Sequence, residues 1–354
     1  MDVRQELLQN WVNQTLSDLS LGQPQGSLLT VSGDASFRRY FRQPLNQGSY
    51  IAVDAPPDKE NSAPFVNIAK EWFAQGVKVP QIIHADLGKG FMLLSDMGDQ
   101  MLYPLLESGQ ANRYYPKAID SLIGIQQTDY NLPPYDAELL DREMALFPDW
   151  YLAEYLNFPL TRNDKFMLEE TFELLRESAL GQIQVPVHRD YHSRNIMVLD
   201  DDSLGIIDFQ DGVLGAITYD LASLLRDAYI DWPQEQIDEW VQLYFAKARE
   251  AGLVGAISNE QLMLWFDWMG LQRHIKVVGI FARLNIRDGK PAYMADIPRT
   301  FRYIREVSAK YDALTPFNSW LEQSLVPYLE QNGHEILPLR APMTESLAES
   351  EADF

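Results

Sequence analysis

Residues 185–210, VPVHRDYHSRNIMVLDDDSLGIIDFQ, restrict the fold more than any other part of this chain. Three short aliphatic runs, Val185 to Val187, Ile196 to Leu199 and Leu204 to Ile207, are separated by turn-forming Asp and Ser and therefore read as strands. Their ends and connecting loops carry Asp190, Asn195 five residues later, and Asp208 thirteen residues after that. Polar chemistry is thus presented on loops held by strands.

These residue types suit phosphoryl transfer. Such a reaction needs a divalent metal to neutralise phosphate oxygens, and Mg²⁺ takes hard oxygen ligands such as an Asp carboxylate and an Asn carbonyl. It also needs a carboxylate to orient the attacking hydroxyl and accept its proton. The order along the chain assigns Asp190 to the proton and Asn195 with Asp208 to the metal.

Composition narrows the class further. The 354 residues suffice for a substantial core and two lobes or domains. There is no Cys, so neither a disulfide framework nor a thiol nucleophile is available, and a reducing cytoplasm is the expected setting. A net charge of −22 argues against nucleic acid or an anionic membrane as a partner. The N-terminus mixes acids with apolar residues, unlike a signal peptide, and no apolar run reaches the roughly 18 residues of a membrane span.

Taken in order, Val3 to Leu19 has helical spacing, followed by strands at Leu28 to Ser32, Phe37 to Arg42 and Tyr50 to Val53. A helix is expected over Ala63 to Gln75, ended by Gly76, and strands around Ile82 to His84 and Phe91 to Leu94 complete a small antiparallel sheet. Ser95 to Gly98 is extended and then Gly-broken, a natural hinge. From Asn112 the chain turns amphipathic, with helices expected at Tyr114 to Gln127, Arg142 to Asn157 and Lys165 to Ser178. Asp220 opens an apolar helix over Leu221 to Tyr229, where an acid complements the helix dipole. Leu262 to Arg287 is helical and carries Arg273, His274, Lys276, Arg283 and Arg287, either a patch for an anionic group or partners for the abundant acids. Four acids and no Lys or Arg in residues 341–354 predict a frayed acidic tail.

The pattern H-x-D-x-x-x-x-N followed by I-D-F resembles the catalytic and metal-binding loops of the protein-kinase-like superfamily. His188-Arg189-Asp190-Tyr191-His192, with its second His, is similar to the aminoglycoside phosphotransferase branch, whose substrates are small molecules. Segment by segment, GDASFRRYFR, YIAVDAPP, LLSDMGD, VHRDYHSRNIMVL and LQRHIKVVGIFARLNIRDGKPAYMADIPR resemble the bacterial N-acetylmuramate/N-acetylglucosamine anomeric kinases, over roughly residues 28–310. The resemblance implies a two-lobed α+β protein-kinase-like fold, with a small antiparallel β N-lobe over residues 1–95 and a larger helical C-lobe over 96–340. It implies ATP and Mg²⁺ as cofactors, a small amino sugar as substrate, and transfer of the γ-phosphate to its anomeric hydroxyl in cell-wall recycling.

On that basis, Asp190 and Arg194 are the expected catalytic residues, and Asn195 and Asp208 the metal ligands. Gly33, Ser36, Phe37, Arg38, Ser95 and Met97 are expected at the nucleotide, and Arg273 and His274 at the sugar, where a cation suits the lactyl carboxylate. His188 and Asp220 are expected to support the site. Asp54 stands where V-A-I-K places the lysine that holds nucleotide phosphates. Either the register differs, or Arg38, Arg39 or Lys59 substitutes, or Asp54 acts through a metal or a neighbouring arginine. Other readings are an aminoglycoside or other small-molecule phosphotransferase and, on Asp54 alone, a catalytically silent nucleotide-binding module.

Overall fold

The computed structural model describes residues 2–33 and 37–340. In chain order its elements are α1 (Val3–Asp18), β1 (Leu29–Gly33), β2 (Arg39–Pro44), β3 (Ser49–Asp54), α2 (Ala63–Ala74), β4 (Ile82–Asp86) and β5 (Phe91–Ser95). There follow α3 (Leu102–Glu107), α4 (Ala111–Gln126), α5 (Ala137–Met144), α6 (Arg162–Leu180), β6 (Gln184–Val187), β7 (Ile196–Val198), β8 (Leu204–Ile206) and β9 (Val213–Ala216). The rest is helical: α7 (Tyr219–Leu225), α8 (Gln234–Glu250), α9 (Asn259–Asp288), α10 (Ile297–Lys310), α11 (Thr315–Trp320) and α12 (Val326–Gln331). Contacts divide the chain into two units. One comprises residues 1–136, 180–227 and 240–263, the other 137–179, 228–239 and 264–354. The boundary expected between residues 95 and 96 falls inside the first unit, and the tail expected at 341–354 lies outside the described residues.

The first unit is built on an antiparallel five-stranded sheet in the order β1-β2-β3-β5-β4. Alternation along each strand sends side chains to opposite faces. Phe41, Ala52, Phe91 and Leu93 pack with Leu8, Val12 and Leu16 of α1, giving that face its own core. The register Phe41↔Ala52↔Leu93 and Arg39↔Asp54↔Phe91 puts Arg39 and Asp54 on the α1 face as well. Tyr40, Arg42, Ile51 and Leu94 point the other way and line a cleft. Two short antiparallel ladders, β6 with β9 and β7 with β8, carry the loops of residues 185–210. Gly205 in β8 leaves room for Met97, whose sulfur would lie 2.8 Å from a Cβ at that position.

The second unit is helical, with a core drawn from α5, the helical stretch 147–155, α6, α9, α10, α11 and α12, including Leu152, Ile275, Phe301 and Phe317. Gly279 lets α9 approach closely, since a Cβ there would meet the Leu146 backbone at 2.4 Å. The helix expected over Arg142 to Asn157 is different in the structure. An α-helix ends at Met144 and a π-helix runs Phe147–Tyr155. Pro148, which has no N–H to donate, lies at the changeover. Among the described residues, no helix is long and apolar enough to cross a membrane.

Candidate active site

The loop after β6 carries Asp190 and is fixed from several sides. His188 is buried, and its Nε2 lies 2.9 Å from the Ile207 carbonyl, which can only accept. Nε2 therefore bears the proton, leaving Nδ1 to accept the Asp190 N–H at 3.2 Å. Asp220, fully buried, accepts the His188 N–H at 2.6 Å and the Arg189 N–H at 3.0 Å through its two carboxylate oxygens. Burial pushes the Asp220 carboxyl up to about 6, against the opposing pull of His188 and these two amides. The helix it belongs to begins at Tyr219 with Thr218 as N-cap, so Asp220 spends its oxygens on the loop rather than on its own helix. Arg189 has a φ of 77° and Asp208 one of 67°, left-handed conformations that non-glycine residues adopt only when their surroundings impose them.

Asn195 ends a 3₁₀ turn, Ser193–Asn195. Its Nδ2 donates to the Asp190 carbonyl at 3.0 Å and approaches Asp208 Oδ2 at 3.4 Å, which assigns the amide and leaves Oδ1 as its acceptor. The Asn195 carbonyl in turn accepts the Ile207 N–H at 3.1 Å, tying the loop to the strand end that bears Asp208. Two residues were not anticipated from the sequence. Gln210 donates to Asp208 Oδ1 at 2.8 Å, and buried Asp227 accepts both the Ser193 N–H, at 3.1 Å, and the Ser193 hydroxyl. Gln210 follows the I-D-F motif directly and could have been noticed; Asp227 lies 34 residues from its partner and has no local signal.

An amide oxygen and a carboxylate on neighbouring residues are a fitting donor pair for Mg²⁺, which takes few protein ligands and completes its shell with phosphate and water. Among the described residues no cluster of three His, Cys, Asp or Glu side chains could hold a metal. The pair formed by Asn195 and Asp208 therefore fits a metal shared with a phosphate ligand, not a closed structural site.

Asn195, Asp208 and Arg194 line the cleft, of about 490 Å³, together with Tyr40, Ile51, Phe65, Leu94 and residues 95–99. This volume suits a small-molecule site. Arg194 is exposed, with its guanidinium 4.9 Å from the Tyr103 ring. In the hinge, Ser95 exchanges backbone and side-chain hydrogen bonds with Gln81, and Arg42 binds both Asp96 and Asp99. Met97 lines the cleft between them. Gly33 pairs with Arg39 at the end of β1. Phe37 is exposed and donates its N–H to Glu60 at 3.1 Å, and Ser36 lies outside the described residues.

Asp54 does not face this cleft. It is fully buried on the α1 side of the sheet, where Arg4 of α1 and Arg39 of β2 each direct Nε and Nη2 at it. Asp2, which caps α1, also binds Arg39, and that contact holds its carboxyl down at about 2. The register had placed Asp54 in the lysine's position along the chain, but alternation turns it to the other face.

The basic residues of α9 also separate. In the second unit Lys276 pairs with Glu143 at 3.0 Å, both buried, and Arg287 pairs with Asp288 at 2.8 Å. His274 is buried and stacks on Tyr303 at 4.8 Å. Arg273 is buried too, and its Nε and Nη1 have no hydrogen-bond partner among the described residues. No single basic patch forms, because acids consume part of the charge.

The profile of the phosphotransferase enzyme family matches residues 27–253. This chain belongs to the phosphotransferase enzyme family. The phosphotransferase is 41% identical to an N-acetylmuramate/N-acetylglucosamine kinase of Pseudomonas aeruginosa over 90% of its own length and 96% of the relative's. A protein of the same description from Pseudomonas putida is 43% identical over 86% and 92%. Both agree with the grouping expected from the sequence segments. The fold matches solved kinases as well: an ethanolamine kinase from Plasmodium vivax superposes with a TM-score of 0.59 at 13% identity, covering 78% of this chain and 81% of that one. The phosphotransferase acts on a hydroxyl acceptor and has the expected two-part α+β kinase-like fold.

Proposed function

We propose that the phosphotransferase transfers the γ-phosphoryl group of ATP to the anomeric C1 hydroxyl of N-acetylmuramate or N-acetylglucosamine. The observation that carries the chemistry is the Asp190–Asn195–Asp208 arrangement, in which Asn195 is bonded to the Asp190 carbonyl and touches Asp208. The two Pseudomonas relatives support the choice of sugar.

In the proposed reaction, the Asp190 carboxylate accepts the C1 hydroxyl proton as O1 bonds to the γ-phosphorus. The bond from that phosphorus to the β–γ bridging oxygen breaks in line, and ADP carries away the electron pair. The anomeric hydroxyl is the most acidic on the ring, so a carboxylate is an adequate base for it. Asn195 and Asp208 would hold Mg²⁺, which supplies charge neutralisation at the phosphates. Arg194, exposed at the cleft, would meet charge on the transferring group. Ser95 and Met97 would lie at the adenine, and Gly33 and Phe37 at the phosphates. Arg273 and His274 are assigned to the sugar, with the unpartnered guanidinium nitrogens of Arg273 suited to a carboxylate such as the lactyl group. Dependence on ATP places the reaction in the cytoplasm, where it would return cell-wall amino sugars to metabolism.

Phosphorus NMR of the protein with Mg-ATP and, separately, N-acetylglucosamine, N-acetylmuramate or kanamycin tests this reading. A sugar phosphate resonance split by the anomeric proton is expected with the amino sugars. Phosphorylation of kanamycin alone would move the protein to antibiotic modification, and phosphate at another ring position would remove the anomeric assignment.

A further inference from the structure

Nucleotide phosphates in kinase-like sites are held by a cation, and the sequence position that usually supplies it is filled by Asp54, which is turned away from the cleft. The same alternation identifies what faces the cleft. Tyr40 and Arg42 of β2 line it, and Arg38, immediately before β2, packs over Phe65, which lines it too. Arg42 is held at the hinge by Asp96 and Asp99, whereas Arg38 precedes the first residue of the strand.

Arg38 is only 6% exposed, unusual for a guanidinium so near the edge of a sheet. Its Cζ lies 5.6 Å from the centroid of Phe65, a cleft residue whose ring stacks at 4.9 Å on Phe209. Phe209 immediately follows Asp208, so this stack connects Arg38 to the proposed metal site through two rings. Glu60 pairs with Arg38 at 3.7 Å through Oε2, while its Oε1 accepts the Phe37 N–H. The other candidates are poorly placed: Arg39 is committed to Asp54 and Asp2 on the α1 face, and Lys59 is exposed, 5.8 Å from the Phe37 ring.

We infer that Arg38, oriented by Glu60, is the cation that holds the nucleotide phosphates in this phosphotransferase. The inference rests on the ATP site of the proposed function. A carboxylate beside the guanidinium fixes its plane, as a glutamate fixes the usual lysine, and the planar fork can engage two phosphate oxygens where an ammonium offers a point charge. Glu60 is a positioning residue that acts through Arg38.

Calorimetric titration of the full chain with Mg-ADP and with adenosine separates this role from a structural one. In Arg38→Met, ADP affinity should fall about tenfold or more, the scale of a lost charge-assisted contact, with adenosine affinity changed by no more than about twofold. Arg38→Lys should recover part of the ADP affinity, and Glu60→Gln should lose about threefold for ADP only, a fraction of the charge-assisted term. Equal losses for both ligands in Arg38→Met, or no loss for either, would overturn the inference even if circular dichroism shows native folding. A wild-type protein that binds neither ligand would remove the nucleotide reading itself, a result distinct from either of these.

Discussion

Two fully buried aspartates in the first unit, Asp220 and Asp54, sit in opposite kinds of surroundings. Asp220 faces neutral donors, the His188 and Arg189 amides, and its carboxyl is raised to about 6 because burial outweighs them. Asp54 faces two guanidinium groups that reach it from α1 and β2. The first arrangement positions a loop whose geometry matters for chemistry; the second fastens a helix to a sheet. Burial of an acid is therefore an incomplete sign of function, and the charge of what meets it decides which role it has.

Changes in the two regions should separate along this line. Replacing Asp190 with Ala in the loop that Asp220 holds should lower kcat by on the order of a thousandfold, about 4 kcal/mol of barrier, while the melting temperature hardly moves. Steady-state kinetics beside calorimetry will show this, and a loss of stability as large as the loss of rate would make Asp190 a fold residue. Asp54→Ala should do the reverse. Leaving two guanidiniums facing a buried gap should cost about 3 kcal/mol in urea unfolding, with kcat of the folded fraction within about threefold of wild type. If kcat collapses instead, the α1 face is coupled to the chemistry and the contrast fails.

A smaller effect depends on pH. Asp220 has a folded value of about 6 against 3.8 for an ordinary Asp, so its folded state holds the proton more tightly than the unfolded chain. Its contribution to stability is complete below about pH 4 and is lost as pH rises through about 6. The stability advantage of wild type over Asp220→Asn should therefore be about 2 kcal/mol larger at pH 4.5 than at pH 7. A difference that is constant with pH would show that Asp220 does not titrate in this window. Smallest of all, Gln210→Ala should reduce kcat by about tenfold or less, because it removes one neutral donor from Asp208 while Asn195 remains. No change in the Mg²⁺ dependence of that variant would show that Gln210 does not orient the carboxylate.

What could be read from the sequence followed the range of the interactions. Asp190, Asn195 and Asp208 lie within nineteen residues, and their pattern survives because the loop and two strands are local structure. The five strands were legible as short apolar or aromatic runs between turns. The direction of Asp54 was not, since it depends on the pairing of β2 with β3 and on α1 covering one face. Asp227 at Ser193 and Glu60 at Arg38 are contacts across the chain that leave no spacing signature. The α9 cations appeared as one cluster because helical spacing records neighbours on the same helix, and the Glu143 that takes up Lys276 is on another. The π-helical turn had a local mark in Pro148, but helical periodicity does not distinguish a π-helix from an α-helix over nine residues.

The positive φ angles of Arg189 and Asp208 mean that the catalytic segment does not carry its own shape. Neither residue favours that conformation alone; it is imposed by the Asp220 carboxylate, the Ile207 carbonyl and the Asn195 cross-tie. Residues 188–208 grafted onto a foreign scaffold would bring every reactive side chain and still relax to an ordinary loop. A designer wishing to move this chemistry must transplant the distant acid and the strand ends with it, so the smallest portable unit is the β6–α7 block rather than the motif.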